Sequence, residues 1–167
     1  MTVIEKVSEH FRVMLGQKKE EHLGTITDLM IKRYALAIGD DNPLYSDREY
    51  ARKRGYEDII APPNMVASIV DWSVGLKEED LHEDGTPKTG GILPSNIQGI
   101  RVMGGGEMKK FINPIVAGTD VYVTTEVIDT HVKEGKKGPI AFLVIKNTFK
   151  DAKGKIYCIS ERTVIAR

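Results

Sequence analysis

Between Pro63 and Gly75 the chain carries a segment in which Met65, Val66, Ala67, Ile69, Val70, Trp72 and Val74 leave little polar face. Wound as a helix over Asn64 to Val74, it is apolar nearly all round, and such a helix is stable in water only when other elements surround it. Pro62-Pro63 before it and Gly75 after it supply start and stop signals. A chain of 167 residues must therefore contain something that wraps a helix. The second half reads as strands. Asp120 to Asp129 alternates, with Val121, Val123, Thr125 and Val127 on one side. Ile140 to Phe149 sets Ala141, Leu143, Ile145 and Phe149 against Ile140, Phe142 and Val144, and Lys155 to Ile165 repeats the pattern. Turn chemistry at 133–139 and 151–154 makes these consecutive antiparallel hairpins. One more strand is expected over Ile97 to Met103 and Glu107 to Phe111, with Gly104-Gly105-Gly106 marking a bulge or the close approach of another group. The expected fold is α+β, a curved antiparallel sheet wrapped around a central apolar helix, in a single domain over residues 1–167.

Helices occupy the first half. Thr2-x-x-Glu5 has the form of a capping box, followed by Ile4, Val7, Phe11, Met14 and Leu15 at helical spacing. Gln17 to Gly24 reads as a polar connector. Thr27 or Asp28 then caps a second helix that runs through Met30, Ile31, Tyr34, Ala35 and Ile38 to Gly39, and Ser46-x-x-Glu49 opens a short third one ending near Gly55. Lys77 to Asn96 is charged, rich in Gly and Pro and without a period, the composition of a functional cover or a disordered excursion.

Several function classes fall away on composition. Lys and Arg total 24, as do Asp and Glu, so no net field attracts a polyanion, and nucleic acid is not expected as a partner. No apolar run approaches the length of a membrane span, and the first residues carry charges throughout, so a soluble, cytoplasmic protein is expected. The single cysteine, Cys158, and four scattered histidines give no metal-ligand spacing, and no cofactor is called for.

Chemistry concentrates in Tyr34-Ala35-Leu36-Ala37-Ile38-Gly39-Asp40-Asp41-Asn42-Pro43-Leu44-Tyr45-Ser46-Asp47. A glycine reverses the chain at a helix end, and an Asp and an Asn follow on a short Pro-stiffened loop that holds a carboxylate rigidly. Turn composition alone favours a plain helix cap and turn, because Asp, Asn, Gly and Pro are what turns use. The stretch resembles the signature of the MaoC-like, (R)-specific enoyl-thioester hydratases and dehydratases, through Tyr34, Ala35, Gly39, Asp40, Asn42, Pro43, Leu44 and Asp47. Ile60-Ala61-Pro62-Pro63, Gly105-Gly106-Glu107 and Pro114-x-x-x-Gly118-Thr119-Asp120 extend the resemblance to that family's N-terminal dehydratase branch. It implies a hot-dog fold, an acyl-CoA or acyl-carrier-protein thioester as substrate, and hydration of an enoyl thioester or the reverse dehydration.

The resemblance also implies site residues. Asp40 takes the place of the catalytic Asp, but the family's His position holds Tyr45, and a phenol is a poor base near neutral pH. Tyr45 is left to donate a hydrogen bond or shape a pocket. Asn42 and Pro43 shape the loop, and Gly105 lies in the strand that follows the family's second-half pattern. Asn64 or Met65 would offer the backbone N–H that holds a thioester carbonyl, since Pro63 has none. Asp47 and Glu49 read as capping residues and Cys158 as a small core residue. Lys109, Lys110, Lys136 and Lys137 are better placed than the acidic 78–84 loop to meet a CoA phosphate or an acidic carrier. The expected assembly is a homodimer, or a heterodimer with a second MaoC-like subunit that supplies the missing His. A non-catalytic acyl-thioester binding or scaffolding subunit and a hot-dog thioesterase are the alternatives.

Overall fold

The computed structural model describes residues 2–68, 76–83, 85, 88, 92, 93, 97 and 99–167. Helix α1 (Val3–Met14) begins at its capping box, the Thr2 hydroxyl accepting from the Glu5 N–H and the Glu5 carboxylate from the Thr2 N–H. Helix α2 (Asp28–Ile38) is capped by Thr27, which accepts from the Met30 N–H, and closes on Gly39 at φ 68°. A 3₁₀ turn (Pro43–Tyr45) leads to α3 (Arg48–Lys53). There Asp47, not Ser46, is the cap: Ser46 closes the 3₁₀ turn, and the Asp47 carboxylate accepts from the Tyr50 N–H at 3.0 Å. Of the expected central helix, α4 (Met65–Ser68) is described, with Met65 and Val66 fully buried. Ile69, Val70 and Trp72, expected to be buried with them, lie outside the described residues.

Among the described residues the sheet has five strands, β1 (Lys18–Ile26), β2 (Val102–Phe111), β3 (Thr119–Gly135), β4 (Gly138–Lys150) and β5 (Ile156–Ala166), in the order β1-β3-β4-β5-β2 and antiparallel throughout. β1 occupies what the sequence presented as a connector. It is an edge strand exposed along most of its length, and with no buried face there is no alternation to read. β2 starts at Val102 instead of Ile97 and runs straight through the three glycines, with a bulge between Gly104 and Gly106.

Two apolar clusters occupy the inner face of the sheet. Val121, Val123, Phe149 and Cys158 pack with Ile31 and Ala35 of α2 and with Met65 and Val66. Val127, Leu143, Ile145 and Val164 pack with Val7 and Phe11 of α1. Full burial of a side chain such as Phe11 contributes roughly 1.5–3 kcal/mol. Ile92, Leu93, Ile97 and Ile100 lie over the second cluster, so part of the aperiodic segment serves as a cover. His10 is half-buried and ties that cover down through the Ile92 carbonyl at 3.1 Å.

Between the clusters the inner face turns polar. Thr125 opposes Asn147, Asn147 opposes Ser160, and Ser160 opposes Lys109, which makes one row across four strands. No helix among the described residues is long and apolar enough to cross a membrane.

Candidate functional site

The end of α2 builds the Asp40 loop from backbone geometry. The Gly39 N–H donates to the Ala35 and Leu36 carbonyls, and the left-handed backbone at Gly39 turns the chain sharply. The Asp40 carboxylate then accepts from the Asn42 N–H and the Asn42 side-chain oxygen from the Leu44 N–H, both at 3.1 Å. Pro43 opens the 3₁₀ turn, whose Leu44 carbonyl receives the Ile60 N–H at 3.0 Å and so fastens the loop to the body. Motif residue Tyr34 bonds Ser68 at 2.9 Å and ties α2 to α4.

Asp40, Asn42 and Tyr45 are thereby brought together, with Asp40 exposed and Tyr45 only 7% exposed within the first cluster. Burial raises the Tyr45 pKa above that of an ordinary phenol, the Asp40 charge raises it further, and the Asn42 side chain opposes both. At neutral pH Tyr45 is a protonated donor beside a carboxylate. The group can position a polar atom or a water; its phenol cannot take a proton from one.

The start of α4 corrects one expectation. The Met65 N–H donates to the Pro62 carbonyl at 2.9 Å and the Met65 side chain fills the core, so Met65 is not a free donor. Asn64 is exposed, and its side-chain oxygen accepts from the Lys109 ammonium at 2.9 Å. Gly105 has a local reason as well. A Cβ there would stand 2.7 Å from Ile165 Cγ1, so the close approach is that of β5, the neighbouring strand.

Lys109 leads to residues the sequence reading passed over. Its ammonium also pairs with Glu107 at 3.0 Å, and the fully buried Ser160 donates to Glu107 at 2.6 Å. Burial alone would raise the Glu107 pKa, but bonds from Ser160 and Lys109, with the charges of Lys109 and Arg162, bring it below the usual carboxylate value. Arg162 faces Glu107 across the strands, and its buried Nε has no hydrogen-bond partner among the described residues. A signal was present: Asn147, Ser160 and Arg162 interrupt inward positions of β4 and β5 that are otherwise apolar.

Beside this cluster lies a cavity of about 270 Å³, lined by Ile60, Pro62, Pro63, Phe111, Tyr157 and Cys158 among others. Burial pushes the Cys158 thiol pKa up, the nearby Lys109 charge lowers it and Glu107 raises it, so the thiol stays protonated and serves as wall. Among the described residues no group of three or more His, Cys, Asp or Glu is arranged to hold a metal ion.

A family model described as FAS1-like, dehydratase domain region matches residues 14–159. A UPF0336 protein of Streptomyces avermitilis is 33% identical over 97 residues, which is 58% of this chain and 57% of that one. The match thus spans little more than half the length of that curated relative. Among solved structures, the ChsH1-ChsH2 complex from Mycobacterium tuberculosis superposes with a TM-score of 0.71 at 18% identity, covering 97% of this chain and 91% of that one. The MaoC-like dehydratase from Rhodospirillum rubrum gives 0.62 at 19% identity, covering 90% of each chain. At these identities the likeness establishes the fold, which is the expected α+β hot-dog arrangement.

Proposed function

The chain belongs to the FAS1-like dehydratase-region family of MaoC-like hot-dog proteins, and on that premise we propose that it is one subunit of an enoyl-thioester hydratase or 3-hydroxyacyl-thioester dehydratase. Its partner is a second hot-dog subunit that carries the catalytic His, and its substrate is an acyl-CoA or acyl-carrier-protein thioester. The observation that carries this reading is Tyr45. Where the family's signature has an imidazole, this chain has a buried phenol with a raised pKa, next to a well-placed Asp40. Adding or removing water at an enoyl thioester needs a group that gains and loses a proton near neutral pH, and a protonated phenol does not.

Two further observations favour assembly. Edge strand β2 leaves one side of its backbone without a partner strand among the described residues, and it and the residue after it expose Val102, Met108, Phe111 and Ile112 at 44–63%. The Mycobacterium tuberculosis neighbour is itself a complex of two components. In this reading Asp40, Asn42 and Pro43 shape the approach to the site, and the inner face of the sheet provides walls for the acyl chain.

The test is co-expression with a short hot-dog companion that carries the complete Gly-Asp-x-Asn-Pro-x-His pattern. Expected are stable co-purification and hydration of crotonyl-CoA by the pair, with little turnover by this chain alone. Turnover by the purified chain alone at the level of its pair with the companion would overturn the two-subunit reading. Release of free thiol from acyl-CoA would instead identify a thioesterase.

A further inference from the structure

The reading above needs a donor for a thioester carbonyl at the start of α4, and of the two backbone groups expected there only Asn64 keeps its N–H uncommitted among the described residues. Pro63 has no N–H, and the Met65 N–H is committed to the Pro62 carbonyl at 2.9 Å. A side chain stands in the place. Lys109 reaches inward from edge strand β2 to the Asn64 side-chain oxygen at 2.9 Å and the Glu107 carboxylate at 3.0 Å, and its side chain is only 19% exposed. An ammonium has three N–H donors, so two are engaged and, among the described residues, one is left for a ligand. Glu107 is pinned in turn by Ser160 at 2.6 Å. A lysine on the surface would lose much rotamer freedom on taking a ligand; this one has already lost it on folding, and binding bears less of that cost.

The surroundings define what such a donor would hold. Phe111, the next inward residue on β2, and Cys158 opposite it form part of the wall of the 270 Å³ cavity, together with Pro62 and Pro63. Lys109 therefore stands where an apolar cavity meets the polar row. The Glu107 carboxylate offsets the ammonium charge, and a carboxylate ligand would meet that negative neighbour at close range. A neutral oxygen whose charge grows during reaction would not, until the donor is there to stabilise it.

We infer that Lys109 donates to the carbonyl oxygen of an acyl thioester at the start of α4, with the acyl chain lying in the adjoining cavity. This rests on the acyl-thioester reading above and adds a side-chain donor where the sequence led us to expect a backbone N–H at Asn64 or Met65. The role requires no proton transfer: Lys109 keeps its proton throughout and polarises the carbonyl while other groups act on the double bond.

The test uses the purified full chain and two unreactive probes, octanoyl-pantetheine and its thioether S-octyl-pantetheine, which differ only by the carbonyl. Pantetheine is the part common to CoA and carrier-protein substrates. The unmutated chain is expected to bind the thioester roughly tenfold more tightly than the thioether, the effect of one hydrogen bond from a charged donor. Lys109→Met is expected to abolish that preference and leave thioether affinity unchanged, which also reports an intact cavity. Lys109→Leu, which also lacks any N–H donor, serves the same purpose if Lys109→Met does not fold. Equal affinity of the unmutated chain for the two probes, persistence of the preference in the variants, or displacement by free octanoate as effective as by the thioester each overturns the assignment and leaves the acyl-thioester reading standing. Binding of neither probe removes that reading and the assignment with it.

Discussion

Tyr45→His restores the family's imidazole at the position where this chain departs from it, and its effect can be sized from the structure. With a pKa raised above 10 by burial and by Asp40, no more than roughly a thousandth of the phenol is ionised at pH 7, whereas an imidazole near 6.5 is mostly in its proton-accepting form. That difference of about three decades in available base falls within the ~10²–10⁴-fold contribution of a positioned general acid or base. The substitution also has a structural cost. Tyr45 is 7% exposed and packed in the first cluster, and replacing its ring with a smaller polar one should lower stability by about 1–3 kcal/mol. The assay is hydration of crotonyl-CoA by the purified chain without a companion, with thermal melts to confirm folding. Tyr45→His should raise turnover at least about a hundredfold over the unmutated chain, and Asp40→Asn added to it should remove the gain. A folded Tyr45→His chain with no gain would refute the idea that the absent imidazole is what limits this site.

Asp40→Asn alone should shift stability by about 1 kcal/mol or less, because the side chain is exposed and an amide oxygen can still accept from the Asn42 N–H; calorimetry checks it. Gly105→Ala, which drives a Cβ to 2.7 Å from Ile165, should cost about 1–3 kcal/mol, read as a lower Tm. The Glu107 pKa is lowered in the folded chain, so the unfolded chain binds the extra proton first, and this group's stabilisation is present above its unfolded pKa and lost as pH falls through the folded one. Ser160→Ala removes the 2.6 Å bond, so denaturation measured between about pH 3 and 7 should show a shallower acid-side slope than in the unmutated chain. An unchanged slope would mean that Ser160 does not hold Glu107 in its charged form.

Local signals were sufficient for much of this molecule. The Thr2 and Glu5 capping box, the Gly39 stop, the bulge at Gly104 to Gly106 and the three alternating strands of the second half depend on a few neighbouring residues, so they are legible in a linear pattern. The motif around Asp40 was legible for the same reason, since a glycine turn and a proline confine the backbone within eight residues of one another. Tertiary structure alone decided the rest. β1 is a strand because β3 offers it an edge, and no buried face marks it in the sequence. Met65 lost its place as a donor to a carbonyl three residues away, a choice set by how the chain enters α4. Read singly, Lys109 was a surface cation for a CoA phosphate or acidic carrier, Glu107 closed the Gly105-Gly106-Glu107 motif, and Ser160 carried no signal of its own. They became one cluster only when β2 paired with β5 and Asn64 came to lie within reach, because a charged group on an inner face is tolerated only where other strands bring it partners.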